Sequence, residues 1–423
     1  MRILEGHEAG DVLARYAGGP TWRRASDSIL QERVDGILSR VRDGGDSAVR
    51  ELALQFGDEP PERFELDRDS IAAACARVSW ETRGIIERAA ENIATVARAV
   101  ADLIKPVRVE QDGFVVGVEF RPVECVGCYV PGGRFPLPST ALMTAITARV
   151  AGVRDICIVS PRLTDEVVYA GTLAGVSHFY RLGGAQAIAA LAFGTESIPR
   201  VDMIVGPGNT YVTEAKRQLQ GTVGIDLLAG PSEIAIIADA TANPCWVALD
   251  MAAQLEHDPL SRAFLFTTSR KAAEETVQQL ASLWSNHDLP GNHDASSAGV
   301  FIAVFSNLSD CVAASDMIAP EHLHLHLSQP AALERQPRYY GALFIGYHST
   351  VPFGDYMAGP NHTLPTGGSA RFSGALSPLS FLRAQNFVEV CRLDRQAALR
   401  TFGFAELEGL SMHAAAVRAR VET

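Results

Sequence analysis

Apolar residues recur at helical spacing through the first hundred positions. Ile29, Val34, Ile37, Leu38 and Val41 form one stripe between Ser26 and about Phe56, interrupted by Gly44-Gly45. Ile85, Ile86, Ala89, Ile93 and Val96 form another between Ser79 and Ile104, so the early chain is expected to be mostly helical. The texture changes at Phe114-Val-Val-Gly-Val-Glu-Phe120, which reads as a strand. From Cys125 short apolar runs at 126–130, 155–159, 177–181, 202–205 and 233–238 alternate with helix-like segments at about 139–152, 165–175, 184–193 and 209–219. Repeated strand–helix–strand units of this size predict a doubly wound parallel sheet. After Ala238 the alternation is looser: a helix from Asn243-Pro244, a strand at Ala263–Thr268, a helix at 270–284, and strands near 300–304 and at Ala342–Ile345. This predicts a second α/β layer that shares its sheet with the early helices. From Phe372 onward the chain reads as polar and mainly helical, with too few apolar residues for its own core, so it must pack on another surface.

Composition narrows the function classes. Of 423 residues 47% are hydrophobic and 20% charged, the balance of a globular protein rather than a disordered one. Asp and Glu number 49 against 37 Lys and Arg, a net charge of −12 that repels nucleic acid and anionic membrane surfaces on average. No apolar run approaches the roughly 18 residues of a membrane span, and the first eight residues lack an apolar core of the signal-peptide kind. A cytoplasmic protein with no membrane and no nucleic-acid partner is expected. Seven scattered cysteines suit reduced core thiols, and Cys125-Val-Gly-Cys128 lacks the second Cys pair or the histidines of a zinc ribbon.

Four turns in the first α/β stretch are rich in glycine: Pro131-Gly132-Gly133, Gly183-Gly184-Ala185-Gln186, Gly206-Pro207-Gly208-Asn209 and Gly230-Pro231-Ser232-Glu233. Glycines after strands let backbone approach a ligand, and the next helix offers free N–H groups to an anion. Tight helix–strand packing alone also explains any single turn. None matches the GxGxxG fingerprint, so a dinucleotide would be held in a non-standard way.

Three segments carry polar chemistry. Gln254 and His257 are three residues apart near the end of a helix, on one face, and either point at one ion or merely cap carbonyls. In Glu321-His322-Leu323-His324-Leu325-His326 the period of two puts three histidines on one strand face. Steps near 7 Å are long for a shared ion, so His324 and His326 are expected to face solvent or an edge. Glu321 and His322 pair a carboxylate with an imidazole, two groups suited to moving protons. The loop from Phe353 to Pro365 is rigid and polar, and its Asp355 is a hard ligand suited to zinc.

Taken together these segments resemble the histidinol dehydrogenase family. The resemblance rests on Tyr129-Val-Pro-Gly-Gly133, Pro138-Ser-Thr140, Gly183 to Leu191, Gly206-Pro-Gly-Asn209, Gly224-Ile-Asp226, Ala229-Gly-Pro-Ser-Glu233, Glu256-His-Asp258, Pro320-Glu-His-Leu323, Gly359-Pro-Asn-His362 and Glu408-Gly-Leu-Ser-Met-His413. It implies a zinc-dependent, NAD-linked oxidation of L-histidinol through the aldehyde to L-histidine. Carried over by position, Gln254, His257, Asp355 and His413 would hold zinc and border the substrate. Ser232, His322 and Glu408 would touch substrate, Tyr129, Gln186 and Asn209 the dinucleotide, and Glu321 and His322 would be the acid–base pair.

The expected fold class is α/β, with two doubly wound, incomplete Rossmann-like domains and helical N- and C-terminal extensions. The expected division is an extension at 1–23, a discontinuous domain at 24–127 and 236–371 with the zinc and acid–base residues, a dinucleotide-side domain at 128–235, and a tail at 372–423. Because that tail carries Glu408 and His413, a homodimer with exchanged tails is expected. The sequence departs from the family pattern at Leu255, at His324, in the short link from Ser160 to Val168 and along 375–385. These departures keep open a paralogous zinc- and NAD-dependent dehydrogenase of another small alcohol, such as a sulfonated diol. A silent nucleotide-binding subunit is disfavoured by the complete Glu321-His322 pair, and a zinc hydrolase by the glycine-rich turns and the absence of His-Glu-x-x-His.

Overall fold

The computed structural model describes residues 2–17, 28–57, 60–132, 136–286, 299–392 and 394–421. Gly133 and the expected boundary between residues 23 and 24 lie outside these. Two parallel sheets and one small antiparallel sheet organise the chain. Their strands are β1 (Ile3–Glu5), β2 (Val107–Gln111), β3 (Phe114–Pro122), β4 (Cys125–Tyr129), β5 (Asp155–Ser160), β6 (His178–Arg181), β7 (Met203–Val205), β8 (Gly224–Ile225), β9 (Glu233–Ala238), β10 (Arg262–Thr267), β11 (Val300–Val304), β12 (His322–His326), β13 (Ala342–Ile345) and β14 (Leu382–Val390).

The first sheet has the order β6-β5-β4-β7-β8 and the second β1-β11-β10-β9-β12-β13. All their pairings are parallel. In each sheet the chain winds outward through three strands, returns to the opposite side of the first, and adds two more, so the two units repeat one winding plan. The order reverses between β4 and β7 in the first sheet and between β9 and β12 in the second. Ligands of open α/β sheets bind beyond the strand C-termini at such a reversal. Strand β1 extends the second sheet beyond β11.

Each face of the first sheet is covered by helices. Val34, Ile37 and Val41 of the helix Ser28–Gln55 pack with Tyr129, Val159 and Leu191 on one face. Ile86, Ala89 and Ile93 of the helix Trp80–Ala101 pack with Val126, Ile146 and Ile158 on the other. The early helices therefore belong to the first sheet, not to the second unit as expected. The second sheet is covered instead by Gly6–Ala17 and Leu308–Ile318 on one face and by Pro244–Leu255 and Arg270–Asn286 on the other. Residues 2–17 are thus an edge strand and a covering helix of the second unit rather than an extension. The expected boundary at 235/236 falls inside β9, whose six residues are all buried.

The tail differs too. Residues 382–390 form β14, which pairs antiparallel with β3 from Leu382 opposite Pro122 to Val390 opposite Phe114. Helices Arg395–Leu407 and Ser411–Val421 follow and pack on each other. Among the described residues no helix is long and apolar enough to cross a membrane.

Candidate active site

Whereas Gly230-Pro231-Ser232-Glu233 leads into β9 of the second sheet, the other three glycine-rich turns meet at the order reversal of the first. A cleft of about 510 Å³ is lined there by Tyr129, Gly132, Gly183, Gly184, Gln186 and Asn209, among others. It thus brings together the three residues expected at a dinucleotide. The Tyr129 hydroxyl accepts the Gly184 N–H at 3.2 Å, and Asn209 Oδ1 caps the helix Thr210–Leu219 through the Val212 N–H at 3.1 Å. Gly206 has φ of +107°, and a Cβ there would fall 2.2 Å from the Tyr129 carbonyl oxygen. Only glycine fits that close crossing.

A buried ion pair stiffens the same turn. Lys216 Nζ lies 2.5 Å from Asp226 Oδ1 and donates to the Gly206 carbonyl at 2.8 Å, while Asp226 Oδ2 accepts the Gly206 N–H at 2.7 Å. With both side chains almost fully buried, removing one partner would strand the other charge, at about 3–5 kcal/mol.

Glu321 and His322, the expected acid–base pair, sit at the N-terminal end of the second sheet. Helix Leu308–Ile318 stops on Ala319 in the left-handed region, φ +48°, and Pro320 turns the chain so that Glu321 and His322 open β12. Both are buried. Glu321 Oε2 accepts the Glu233 N–H at 2.9 Å, and His322 Nδ1 lies 3.1 Å from the Glu233 carbonyl oxygen. A carbonyl can only accept, so Nδ1 carries the proton and Nε2 keeps its lone pair. That Nε2 is buried without a hydrogen-bond partner, 3.9 Å from Asp355 Oδ1.

Burial sets the charge states. It lowers the His322 pKa to about 4 and raises that of Glu321 well above the usual carboxylate range, with Glu233 and Asp355 adding repulsion to the latter. Asp355 and Glu233 are each pushed up to about 7 by desolvation. Burial brings His362 down to about 4, and desolvation also lowers the pKa of His257, although that ring is exposed at the surface of the single chain. Titratable groups with pKa values driven apart in one place are a signature of acid–base sites.

The loop between β13 and β14 joins the two units. Asp355 lies in the single π-helical turn Phe353–Met357, a geometry enriched at functional sites. Asn92 and Asn361 donate to the Met357 and Met143 carbonyls, and the Gly367 N–H donates to Glu233 Oε2 at 3.2 Å. Ser232 is half-buried immediately before β9.

Of the expected zinc ligands, Gln254 is the last but one residue of its helix and is buried with Nε2 unpartnered. His257 lies one residue past the helix cap Glu256, which keeps helical dihedrals. Asp355 and His257 each influence the groups around His322. An amide, an imidazole and a carboxylate near orphaned buried atoms suit zinc, with a fourth position still to be supplied. Glu408 and His413 are exposed on the tail, and among the described residues neither side chain hydrogen-bonds or pairs with this group. They line a separate cleft with Phe404, Leu410 and Met412.

Other expectations fare differently. His324 and His326 are fully buried, neither solvent-facing nor at an edge, because β12 lies between β9 and β13 and helix Pro244–Leu255 covers that region. Together with Asp250 they are the one group of three His, Cys, Asp or Glu among the described residues whose ligand atoms all lie within 4.8 Å of one another. Cys125 and Cys128 both lie in β4 but pack on opposite faces of the sheet, with thiols pushed up to about 11 and about 12 by burial. Leu255 is buried in the core with Ile236 and Leu265, and Leu376 and Phe381 fill the core beside the helix Trp80–Ala101. Sequence reasoning assigned no role to Glu233 or His362. A lone acid opening an otherwise apolar strand was the available signal for the first.

Comparison with known proteins bears on all of this. Residues 21–421 match the family model described as histidinol dehydrogenase. The chain is 43% identical to the histidinol dehydrogenase of Thermosynechococcus vestitus, over 93% of this chain and 94% of that one. It is 40% identical to that of Aquifex aeolicus, over 93% of each. The crystal structure of histidinol dehydrogenase from Elizabethkingia anophelis superposes with a TM-score of 0.86 at 34% identity, covering 93% of this chain and 92% of that one.

Proposed function

The chain belongs to the histidinol dehydrogenase family, an NAD-dependent oxidoreductase family of histidine biosynthesis acting on alcohol and aldehyde, and from that premise we propose how its residues perform the reaction. The observation that carries the reading is the His322 ring: protonated at Nδ1 by its bond to Glu233, neutral through burial, and presenting an unpartnered Nε2. His322 Nε2 accepts the proton of the substrate alcohol as hydride leaves, and serves again in the aldehyde stage. Glu321 takes a proton from the water that adds to the aldehyde, and its raised pKa makes its ionised form a strong base. Ser232 and Glu408 hold the substrate.

The cleft lined by Tyr129, Gln186 and Asn209, whose N–H groups and helix N-terminus suit a pyrophosphate, would hold NAD+, which when bound would supply the hydride acceptor. Gln254, His257, Asp355 and His413 would hold zinc, which when bound would supply a fixed template for the substrate's nitrogens. Those four residues also border the substrate. Buried, unpartnered Gln254 Nε2 and the clustering of His257, His322 and Asp355 support that set.

We further infer a homodimer with exchanged tails. In the isolated chain Leu407, Met412 and Phe404 are 85%, 76% and 65% exposed, an apolar face that calls for a second surface. Crossing to the partner would bring His413 and Glu408 to the other chain's site. The NAD+ requirement and seven unpaired cysteines favour the cytoplasm as the place of work.

The test is NADH formation from L-histidinol against a panel of small alcohols that includes a sulfonated diol. Histidinol should give the highest kcat/KM by orders of magnitude. Preference for the sulfonated diol would reassign the substrate.

A further inference from the structure

The second sheet repeats the winding of the first, so it has its own order reversal, between the C-terminal ends of β9 and β12. In the first sheet that position holds the glycine-lined cleft. In the second it holds His326, which stands opposite Ala238 at the end of β9, and His324, two residues earlier. The proton-transfer pair lies at the other end of β12, so the reaction described above does not use this edge.

Three observations converge on it. Asp250, from the middle of the helix that follows β9, has Oδ2 3.1 Å from His324 Nδ1, yet the two are too poorly aligned to hydrogen-bond and His324 Nδ1 has no such partner. One ligand atom of each, together with one of His326, lies within 4.8 Å of the others. His324 Nε2 lies 2.9 Å from the Gly346 carbonyl, which places the proton on Nε2 and the lone pair on Nδ1. His326 is fully buried with neither ring nitrogen hydrogen-bonded, its ring 5.0 Å from that of His324.

We propose that Asp250, His324 and His326 form a second metal site, for a divalent first-row transition cation of the zinc type, separate from the catalytic centre. The ligand set of two imidazoles and one carboxylate is one that such cations take with water completing the shell. The outer contacts have the form that metal ligands usually show: Gly346 holds the His324 tautomer, and Thr350 Oγ1 donates to Asp250 Oδ1 at 2.6 Å. Ligand atoms within 4.8 Å of one another need only small side-chain rotations to close on an ion. A cation there would pin β12 to the helix Pro244–Leu255, whose next turn carries Gln254, so the site is structural in effect.

Metal-stripped protein is incubated with Zn2+ or Co2+, freed of unbound metal by gel filtration, and its metal counted per chain. The wild type should hold one equivalent more than His326→Leu, and His326→Leu should keep its turnover with histidinol. His257→Ala should also lose one equivalent, but with its turnover, so failure of the catalytic zinc assignment reads out separately. If His326→Leu does not fold by circular dichroism, Asp250→Asn takes its place with the same expected loss. Equal metal counts in wild type and the folded variant would overturn the proposal.

Discussion

The Nδ1 of His322 lies 3.1 Å from the carbonyl oxygen of Glu233, and that bond decides which ring nitrogen is available as a base. The Glu233 N–H also binds Glu321 at 2.9 Å, so one residue of β9 contacts both members of the pair, through its N–H and its carbonyl. In the proposed reaction, proton transfer would therefore be set by the register of β12 against β9, with His322 opposite Ile234.

Although Glu233 contacts both residues, the proposed reaction assigns their side chains different parts in the two chemical stages. His322→Asn keeps a polar group but no base, and should lower kcat for histidinol and for histidinaldehyde by about 10²–10⁴-fold. Glu321→Gln should impair aldehyde oxidation far more than alcohol oxidation. Single-turnover rates on each substrate check this, and equal losses in the Glu321 variant would remove the division of labour.

The Glu233 carboxyl offers a test by pH. Its pKa rises from 4.5 to about 7 because burial penalises the ionised form. An acid raised in the folded state binds its proton more tightly there than in the unfolded chain. Its contribution is therefore fully present below 4.5 and is lost as pH rises through 7. Glu233→Gln removes that titration. Its stability relative to wild type should improve between pH 5 and pH 8, by roughly 3 kcal/mol at most from a shift of this size. Denaturant melts at the two pH values measure it, and a pH-independent difference would mean that Glu233 does not titrate in this range.

Exchange of tails makes a prediction about mixtures. A His413→Ala chain and a His257→Ala chain, each inactive alone, should give activity after co-refolding, because one heterodimer site keeps all its ligands. Statistical pairing puts the recovery at about one quarter of wild type. No recovery, with heterodimers demonstrated by mass, would leave each tail with its own chain.

The parallel sheets were legible because strands buried on both faces are continuous apolar runs, as at Glu233–Ala238. The owner of the early helices was not, since a stripe such as Val34, Ile37 and Val41 states that a face is buried without saying against which sheet. Strand β14 was missed because most of its residues are exposed and carry no alternation. His324 and His326 misled for a related reason. A period of two suggests a wet face, but β12 is an inner strand whose polar face is covered as well. The dinucleotide candidates Tyr129, Gln186 and Asn209 do share one cleft, whereas Glu408 and His413 stay apart from Asp355 within a single chain.

The central claim is that one site carries out both oxidations, and the yield of NADH from limiting L-histidinol measures it most directly. With excess NAD+ the account predicts two NADH per histidinol consumed, histidine as the product and no free aldehyde. One NADH per histidinol with histidinaldehyde accumulating, or none at all, would contradict it.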